Sequence, residues 1–171
     1  MPMITLLTGG ARSGKSSYAL KMAEAYKRKA FIATAEPFDD EMKERIRRHK
    51  EERNGACLTI EEPLELAKAI RGLPHDIEVA VVDCLTVWLG NLMHYRGEEF
   101  EGCSQLRDLY AVLADPPCDM IIVSNELGMG LIPEAKMSRR YRDEIGYLNQ
   151  AVARLARKVI FMVSGLPLLL K

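Results

Sequence analysis

The sequence predicts an α/β domain in which a mostly parallel sheet is covered by helices on both faces. Short apolar runs of strand length recur at residues 4–8, 30–34, 77–82, 120–124 and 159–163. Segments of helical character separate them. The first run leads through a glycine-rich turn into a helix, which opens a βαβ arrangement. Strands that alternate with helices pair in parallel through right-handed crossovers, and these place helices on both faces. No repeat, low-complexity tract or linker divides the 171 residues, so residues 1–171 are read as one domain.

Each element has a local reason. Residues 4–8 are apolar enough for a buried strand, residues 9–14 form a turn, and residues 15–27 read as a helix. After the strand at 30–34, Pro37, Asp39 and Asp40 interrupt the chain and can cap a charged helix running to residue 53, which Asn54-Gly55 ends. A short strand at 58–61 and a short helix at 63–70, with proline in its first turn, come next. The run at 77–82 is the most strand-like of the middle and closes on Asp83. Residues 85–95 and 99–113 read as helices separated by a turn at Gly97. The strand at 120–124 leads into a glycine-rich loop at 125–133 and a long helix at 134–157. Met137, Tyr141, Ile145, Leu148, Val152 and Leu155 lie on one stripe of that helix, at steps of three and four. The strand at 159–163 is the last.

Composition narrows the function classes. Lys plus Arg and Asp plus Glu both number 24, so the formal net charge is zero, against the basic excess of a general nucleic-acid binder. Cys57, Cys84, Cys103 and Cys118 form no CxxC pair, which argues against a zinc site or redox dithiol and for reduced thiols in the cytoplasm. The longest apolar stretch, 159–170, is broken by Gly165 and Pro167 and is too short to insert into a membrane. The N-terminus has no basic segment leading into an apolar run and does not read as a signal peptide.

The chemistry begins at Gly9-Gly10-Ala11-Arg12-Ser13-Gly14-Lys15-Ser16, which fits G-x-x-x-x-G-K-[ST] between a strand and a helix. Glycines let the backbone curl around an anion with its N–H groups inward, and the helix N-terminus adds positive potential. Lys15 can reach the terminal phosphates of a nucleotide, and the Ser16 hydroxyl can ligate Mg²⁺. The expected fold thereby becomes P-loop NTPase-like. Asp83, at the end of an apolar strand, stands where such proteins hold the Mg²⁺-associated aspartate; it also precedes a helix and can serve as its cap.

Other polar residues admit two readings each. Met42, Ile46, His49 and Arg53 share one face of the charged helix, at steps of four, three and four. His49 there is either a packed structural histidine or a nucleophile or base, with Arg53 near enough to hold a phosphate. His75 and His94 read as ordinary loop and helix residues. Arg139, Arg140 and Arg142 form either a solvated face or a phosphate contact. The loop from Asn125-Glu126-Leu127-Gly128-Met129-Gly130 follows a strand's C-terminal end, where open α/β sheets bind ligands, and is either a substrate wall or a surface connection.

Taken together, these motifs resemble the bifunctional adenosylcobinamide kinase / adenosylcobinamide-phosphate guanylyltransferase family. The resemblance runs nearly end to end. It takes in the loop from Thr8 to Ser16, Ile32-Ala33-Thr34-Ala35, and Asp40-Glu41-Met42 with Arg45-Ile46 and His49. It continues through Thr59, Glu61 and Pro63, Val82-Asp83-Cys84-Leu85-Thr86, Trp88-Leu89 and Asn91-Leu92. Asn125-Glu126, Gly128-Met129-Gly130, Pro133, Arg139, Arg142-Asp143, Gly146, Asn149-Gln150 and Val163-Ser164-Gly165-Leu166-Pro167 complete it. Where the family has a tryptophan just ahead of the match to Thr59, this chain has Cys57.

The resemblance implies a cobalamin-biosynthesis enzyme with two activities. The first phosphorylates the aminopropanol hydroxyl of adenosylcobinamide with a nucleoside triphosphate, ATP or GTP. The second transfers GMP from GTP to adenosylcobinamide phosphate, giving adenosylcobinamide-GDP and pyrophosphate. The family's guanylylated histidine matches His49, and its nucleotide-contacting positions match Gly9 to Ser16, Thr34, Lys50, Glu51, Glu52, Arg53, Glu61 and Asp83. Lys15 would serve catalysis beside His49, and Ser16 and Asp83 would hold Mg²⁺. Family members look like homotrimers with the site near subunit boundaries. Two other readings stand beside this one: a single-activity P-loop kinase of another small metabolite, and a nucleotide-dependent switch without substrate chemistry.

Overall fold

The structure is a computed structural model that describes residues 1–36, 44, 47, 57–100 and 103–171. The charged helix expected over 39–53, with Met42, Ile46, His49, Lys50, Glu51, Glu52 and Arg53, lies outside the described residues apart from Glu44 and Arg47, which form an ion pair at 2.7 Å.

Seven strands form one sheet: β1 (Ile4–Gly9), β2 (Lys29–Ala33), β3 (Leu58–Glu61), β4 (Val79–Asp83), β5 (Asp119–Val123), β6 (Lys158–Val163) and β7 (Leu166–Leu169). Their order is β3-β2-β4-β5-β1-β6-β7. All neighbours pair in parallel except β6 and β7. The described helices are α1 (Lys15–Ala23), α2 (Leu66–Arg71), α3 (Leu85–Arg96), α4 (Ser104–Ala114) and α5 (Lys136–Leu155), with a 3₁₀ turn at Gly97–Phe100. This is the α/β architecture expected, with helices on both faces.

The central strands β1, β4 and β5 are mostly apolar because both sides are covered. Ile4 and Leu6 of β1, Ala80 and Val82 of β4, and Met120 and Ile122 of β5 face a core closed by α2, α3, α4 and α5. The alternating residues Leu7, Val79, Val81, Ile121 and Val123 face the opposite side, where Ala19 and Ala23 of α1 pack. On α5, Ile145, Leu148 and Val152 are buried and Tyr141 packs against them, while Met137 and Leu155 are exposed at the ends of the stripe.

Three differences from expectation have a visible local cause. The helix expected at 63–70 begins at Leu66, because the Glu62 carboxylate accepts from the amides of Leu64 and Glu65 and holds a turn ahead of it. The helix expected at 99–113 divides into the 3₁₀ turn and α4: Phe100 is buried as an anchor, and the Cys103 amide closes back on its carbonyl at 3.1 Å. The third difference is β7, which returns antiparallel on β6 through Ser164-Gly165, both at positive φ (51° and 81°), a geometry that matches the twist of a two-residue hairpin. Pro167 and the shortness of β7 suit an edge strand.

Trp88 ties α3 to the segment ahead of α2. Its side chain is fully buried and its indole N–H donates to the Leu64 carbonyl at 2.9 Å. Asn91, one turn on, donates to the carbonyls of Thr34 and Pro63 at 2.8 and 3.1 Å. Trp88→Ala is expected to lower unfolding stability by about 3–5 kcal/mol through cavity formation. Trp88→Phe should lose about 1–3 kcal/mol, chiefly from the stranded Leu64 carbonyl. Urea unfolding followed by circular dichroism checks both values and their order.

Candidate functional site

The parallel register brings the chemistry-bearing residues to one edge. Glu61 pairs with Ala33, Ala33 with Asp83, Asp83 with Val123 and Val123 with Leu7, so the C-terminal ends of five strands lie in one row. The ladder continues past the strands through Thr34 N–H to Asp83 O (3.2 Å), Glu62 N–H to Ala33 O (2.9 Å), Ser124 N–H to Leu7 O (2.9 Å) and Glu126 N–H to Gly9 O (3.0 Å). The loops that follow therefore leave the sheet from fixed positions.

The loop from Gly9 to Ser16 is shaped by backbone that only certain residues tolerate. Gly9 has φ 145°, and a Cβ there would lie 2.4 Å from the Met162 carbonyl oxygen on β6. Gly14 has φ 91°, caps α1, and a Cβ on it would approach the Gly165 Cα at 3.3 Å. Arg12 is also left-handed at φ 55°, exposed beside Gly10 and Ala11 at the crest. The Gly165 amide donates to the Ser13 carbonyl at 3.0 Å, so the β6–β7 turn braces the loop from beneath. Lys15 is buried, with its ammonium donating to the Gly10 carbonyl at 2.6 Å and to the Ser13 hydroxyl at 3.3 Å. A cation thus folds back over the loop, where an incoming phosphate would sit, and Ser16 follows it in the first turn of α1.

Asp83 ends β4, and the capping position of α3 belongs to Cys84, whose sulfur accepts from the Val87 amide at 3.5 Å. The Asp83 carboxylate is therefore not that cap. Thr34 is fully buried, and its hydroxyl donates to the Cys84 carbonyl while accepting from the Cys84 amide, both at 2.8 Å. Its side chain acts as a strut between β2 and the end of β4. Glu61 is exposed at the end of β3, two strands beyond Asp83. The structure thus brings Gly9 to Ser16, Thr34, Glu61 and Asp83 to one edge, while His49, Lys50, Glu51, Glu52 and Arg53 lie outside the described residues.

Ser16 and Asp83 offer a hydroxyl and a carboxylate, the hard oxygen donors that suit Mg²⁺. Among the described residues no group of three or more His, Cys, Asp and Glu side chains could hold a metal alone. Two protein oxygens with nucleotide phosphates and water completing the shell is the arrangement Mg²⁺ favours. The residues present fit that ion.

Sequence reasoning did not reveal a polar layer beneath the edge. The Thr86 hydroxyl lies 3.3 Å from that of Ser124 and accepts from the Asn125 amide at 2.7 Å. Tyr141 donates its hydroxyl to the Thr86 carbonyl at 2.6 Å, and burial raises its pKa far above the ordinary phenol value. Asn149 donates to the Asn125 carbonyl at 2.9 Å. Isolated threonines, serines and asparagines on three separate elements carry no periodic signal, so only the folded arrangement shows the layer. The arginine cluster makes contacts within the protein. Arg139 donates to the carbonyls of Pro133 and Glu134, Arg140 stands over the Phe100 ring at 5.7 Å, and Arg142 pairs with Asp143 at 3.1 Å. Met129, Leu131 and Ile132 of the glycine-rich loop are exposed beside the edge.

The family model described as cobinamide kinase / cobinamide phosphate guanyltransferase matches residues 5–170. The chain is 42% identical over 171 residues to the bifunctional adenosylcobalamin biosynthesis protein CobP of Pseudomonas aeruginosa, covering 99% of this chain and 98% of that protein. It is 33% identical over 181 residues to the bifunctional adenosylcobalamin biosynthesis protein CobU of Escherichia coli, covering 99% of this chain and 100% of that protein. The protein of the same name from Salmonella typhimurium is 32% identical over 181 residues, with the same coverage.

The packing of Gly9 makes a direct prediction. Gly9→Ala must move either the loop or β6, since its methyl would meet a backbone carbonyl rather than a flexible side chain. Displacing the phosphate cradle by about 1 Å should weaken nucleotide binding by roughly 100-fold. Gly10→Ala, whose methyl meets nothing within 4 Å, should bind nearly as the parent does. Isothermal titration with nucleotide distinguishes the two variants.

Proposed function

The chain belongs to the cobinamide kinase / cobinamide phosphate guanyltransferase family, and from that premise we propose that it carries both of the family's activities. In the first, the aminopropanol hydroxyl of adenosylcobinamide attacks the γ-phosphorus of ATP or GTP. A bond forms from the hydroxyl oxygen to phosphorus, the bond to the β,γ-bridging oxygen breaks, and the nucleoside diphosphate leaves with that electron pair. The hydroxyl proton passes to solvent. In the second, an imidazole nitrogen of His49 attacks the α-phosphorus of GTP and pyrophosphate leaves. An oxygen of adenosylcobinamide phosphate then attacks the same phosphorus, breaks the P–N bond and releases adenosylcobinamide-GDP.

The observation that carries this reading is the shared sheet edge. The phosphate loop, Asp83 and the loop after β5 leave adjacent strands at the same level. Phosphoryl transfer is mainly positioning and charge stabilisation, and this edge supplies both. The buried Lys15 ammonium already lies over the loop and would follow the developing phosphate charge. Ser16 and Asp83 would hold Mg²⁺, which when bound neutralises charge on the β- and γ-phosphates. Glu61, exposed at the end of β3, would contact the nucleotide as the family resemblance implies, as would Lys50 to Arg53, while the buried Thr34 would act through the strut it forms with Cys84. The apolar Met129, Leu131 and Ile132 offer a wall for a substrate far larger than the group it donates or accepts. We carry over from the family a homotrimeric assembly in the cytoplasm. Among the described residues no helix is long and apolar enough to cross a membrane.

Two outcomes test the reading. Lys15→Ala should reduce both activities, each by roughly 100-fold or more, because one phosphate loop serves both nucleotides. Kinase and guanylyl-transfer turnover are measured separately, and normal guanylyl transfer would sink the single-site reading. With α-labelled GTP, the parent protein should retain label that is lost in acid and kept in alkali, as a phosphoramidate behaves. His49→Ala should retain none while still phosphorylating adenosylcobinamide, since that step needs no covalent intermediate. Labelling of the parent should also fall in acid as the attacking imidazole takes up a proton.

A further inference from the structure

Asn125 sits at a position that neither the phosphate-loop motif nor Asp83 accounts for. β5 lies between β4, which ends in Asp83, and β1, which ends in the phosphate loop. Asp83 is in register with Val123, and Val123 with Leu7. The chain leaving β5 therefore rises between the two groups that frame a bound triphosphate, about 4.8 Å from the strand on either side.

Pairing with β1 continues through Ser124 N–H to Leu7 O and Glu126 N–H to Gly9 O, so side chains keep alternating across residues 124–126. Ser124 falls with Met120 and Ile122 on the face covered by α3 and α5, where its hydroxyl meets Thr86. Asn125 then falls with Ile121 and Val123 on the other face, which carries α1 and hence Lys15 and Ser16. The side chain is half-buried and, among the described residues, makes no hydrogen bond.

Its backbone is held from both sides. Thr86 accepts from its amide at 2.7 Å and Asn149 donates to its carbonyl at 2.9 Å. The other side-chain atom of Asn149, Oδ1, is buried with no partner among the described residues, and so is the Thr8 hydroxyl. An unsatisfied buried oxygen is a standing cost, and an apolar residue would avoid it. Asn149 is thus placed to hold Asn125 rather than to fill space.

We propose that Asn125 is a further catalytic group of phosphoryl transfer, its amide N–H donating to a γ-phosphoryl oxygen and its amide oxygen accepting from the attacking hydroxyl. The amide neither gains nor loses a proton; it orients the nucleophile and stabilises charge as the bond to the leaving diphosphate lengthens. Asn149 is a positioning residue for it. The proposal rests on the kinase half of the reading above.

The test compares the parent with Asn125→Ala, Asn125→Asp and Asn149→Leu. Each is assayed for phosphoryl transfer to adenosylcobinamide and for affinity toward ADP and toward ADP with aluminium fluoride, a mimic of the transferring phosphoryl group. Asn125→Ala should cut kcat about 100-fold with nucleotide KM within about threefold, as loss of one preorganised donor does. It should also lose most of the parent's preference for the aluminium fluoride complex over ADP. Asn125→Asp, the same shape with a negative charge, should lose at least as much. Asn149→Leu should shift kcat in the same direction by about tenfold, with melting temperature unchanged or raised. Asn125→Ser replaces Asn125→Ala if the latter does not fold. An unchanged kcat and an unchanged preference for the transition-state mimic in Asn125→Ala would overturn the proposal, as would equal losses for ADP and the mimic. If the parent phosphorylates no adenosylcobinamide, the kinase reading fails, and the mimic's affinity still decides the role of Asn125.

Discussion

The close approach of Gly9 to the Met162 carbonyl is the constraint on which the rest of the site depends. With a hydrogen in place of a side chain, the backbone turns at φ 145° directly against β6 and its carbonyl accepts from Glu126. The loop is thereby clamped between the outgoing ends of β5 and β6. The Gly165 amide adds a third fixed point at Ser13. A cradle built from backbone N–H groups works only if those groups do not move when the anion arrives, and these contacts supply that rigidity. The buried Lys15 ammonium, bonded to Gly10 and Ser13, keeps the loop's shape from within.

A second constraint is the order of strands. Inserting β5 between β4 and β1 separates Asp83 from the phosphate loop by two strand spacings, roughly 10 Å, enough for phosphates and an ion to lie between them. It also makes the segment after β5 the floor of that gap. Four hydrogen bonds to backbone groups, from three directions, hold Ser124 to Glu126. The polar layer of Thr86, Ser124, Asn149 and Tyr141 is the means by which α3 and α5 support the edge. Arg139 and Arg140, by contrast, fasten the start of α5 to its surroundings, while Arg142 pairs with its neighbour Asp143 on the same helix.

Much of this was readable from the chain. The continuous apolar run of β4 reveals burial on both faces, and the strand-loop-helix context of Gly9 to Ser16 identifies an anion cradle from residue types alone. The α5 stripe foretold its packing at Ile145, Leu148 and Val152, though Met137 and Leu155 overhang the core. The hairpin return of β7 was less legible. Its residues alternate little, Pro167 interrupts the run, and the turn depends on Ser164 adopting a positive φ that serine rarely takes.

What the sequence by itself determined are the local facts: which segments are strand or helix, which loop can hold phosphate, and which carboxylate ends an apolar strand. These follow from periodicity and from the conformational limits of glycine and proline, properties of a few neighbouring residues. Only the tertiary structure decided that β5 stands between Asp83 and the phosphate loop, that Cys84 rather than Asp83 caps α3, and that Thr34 is a strut. The strand order and the Thr34 strut join residues 40 to 116 positions apart. No local pattern encodes such pairings, because they are set by which strands can bury their faces together in one sheet.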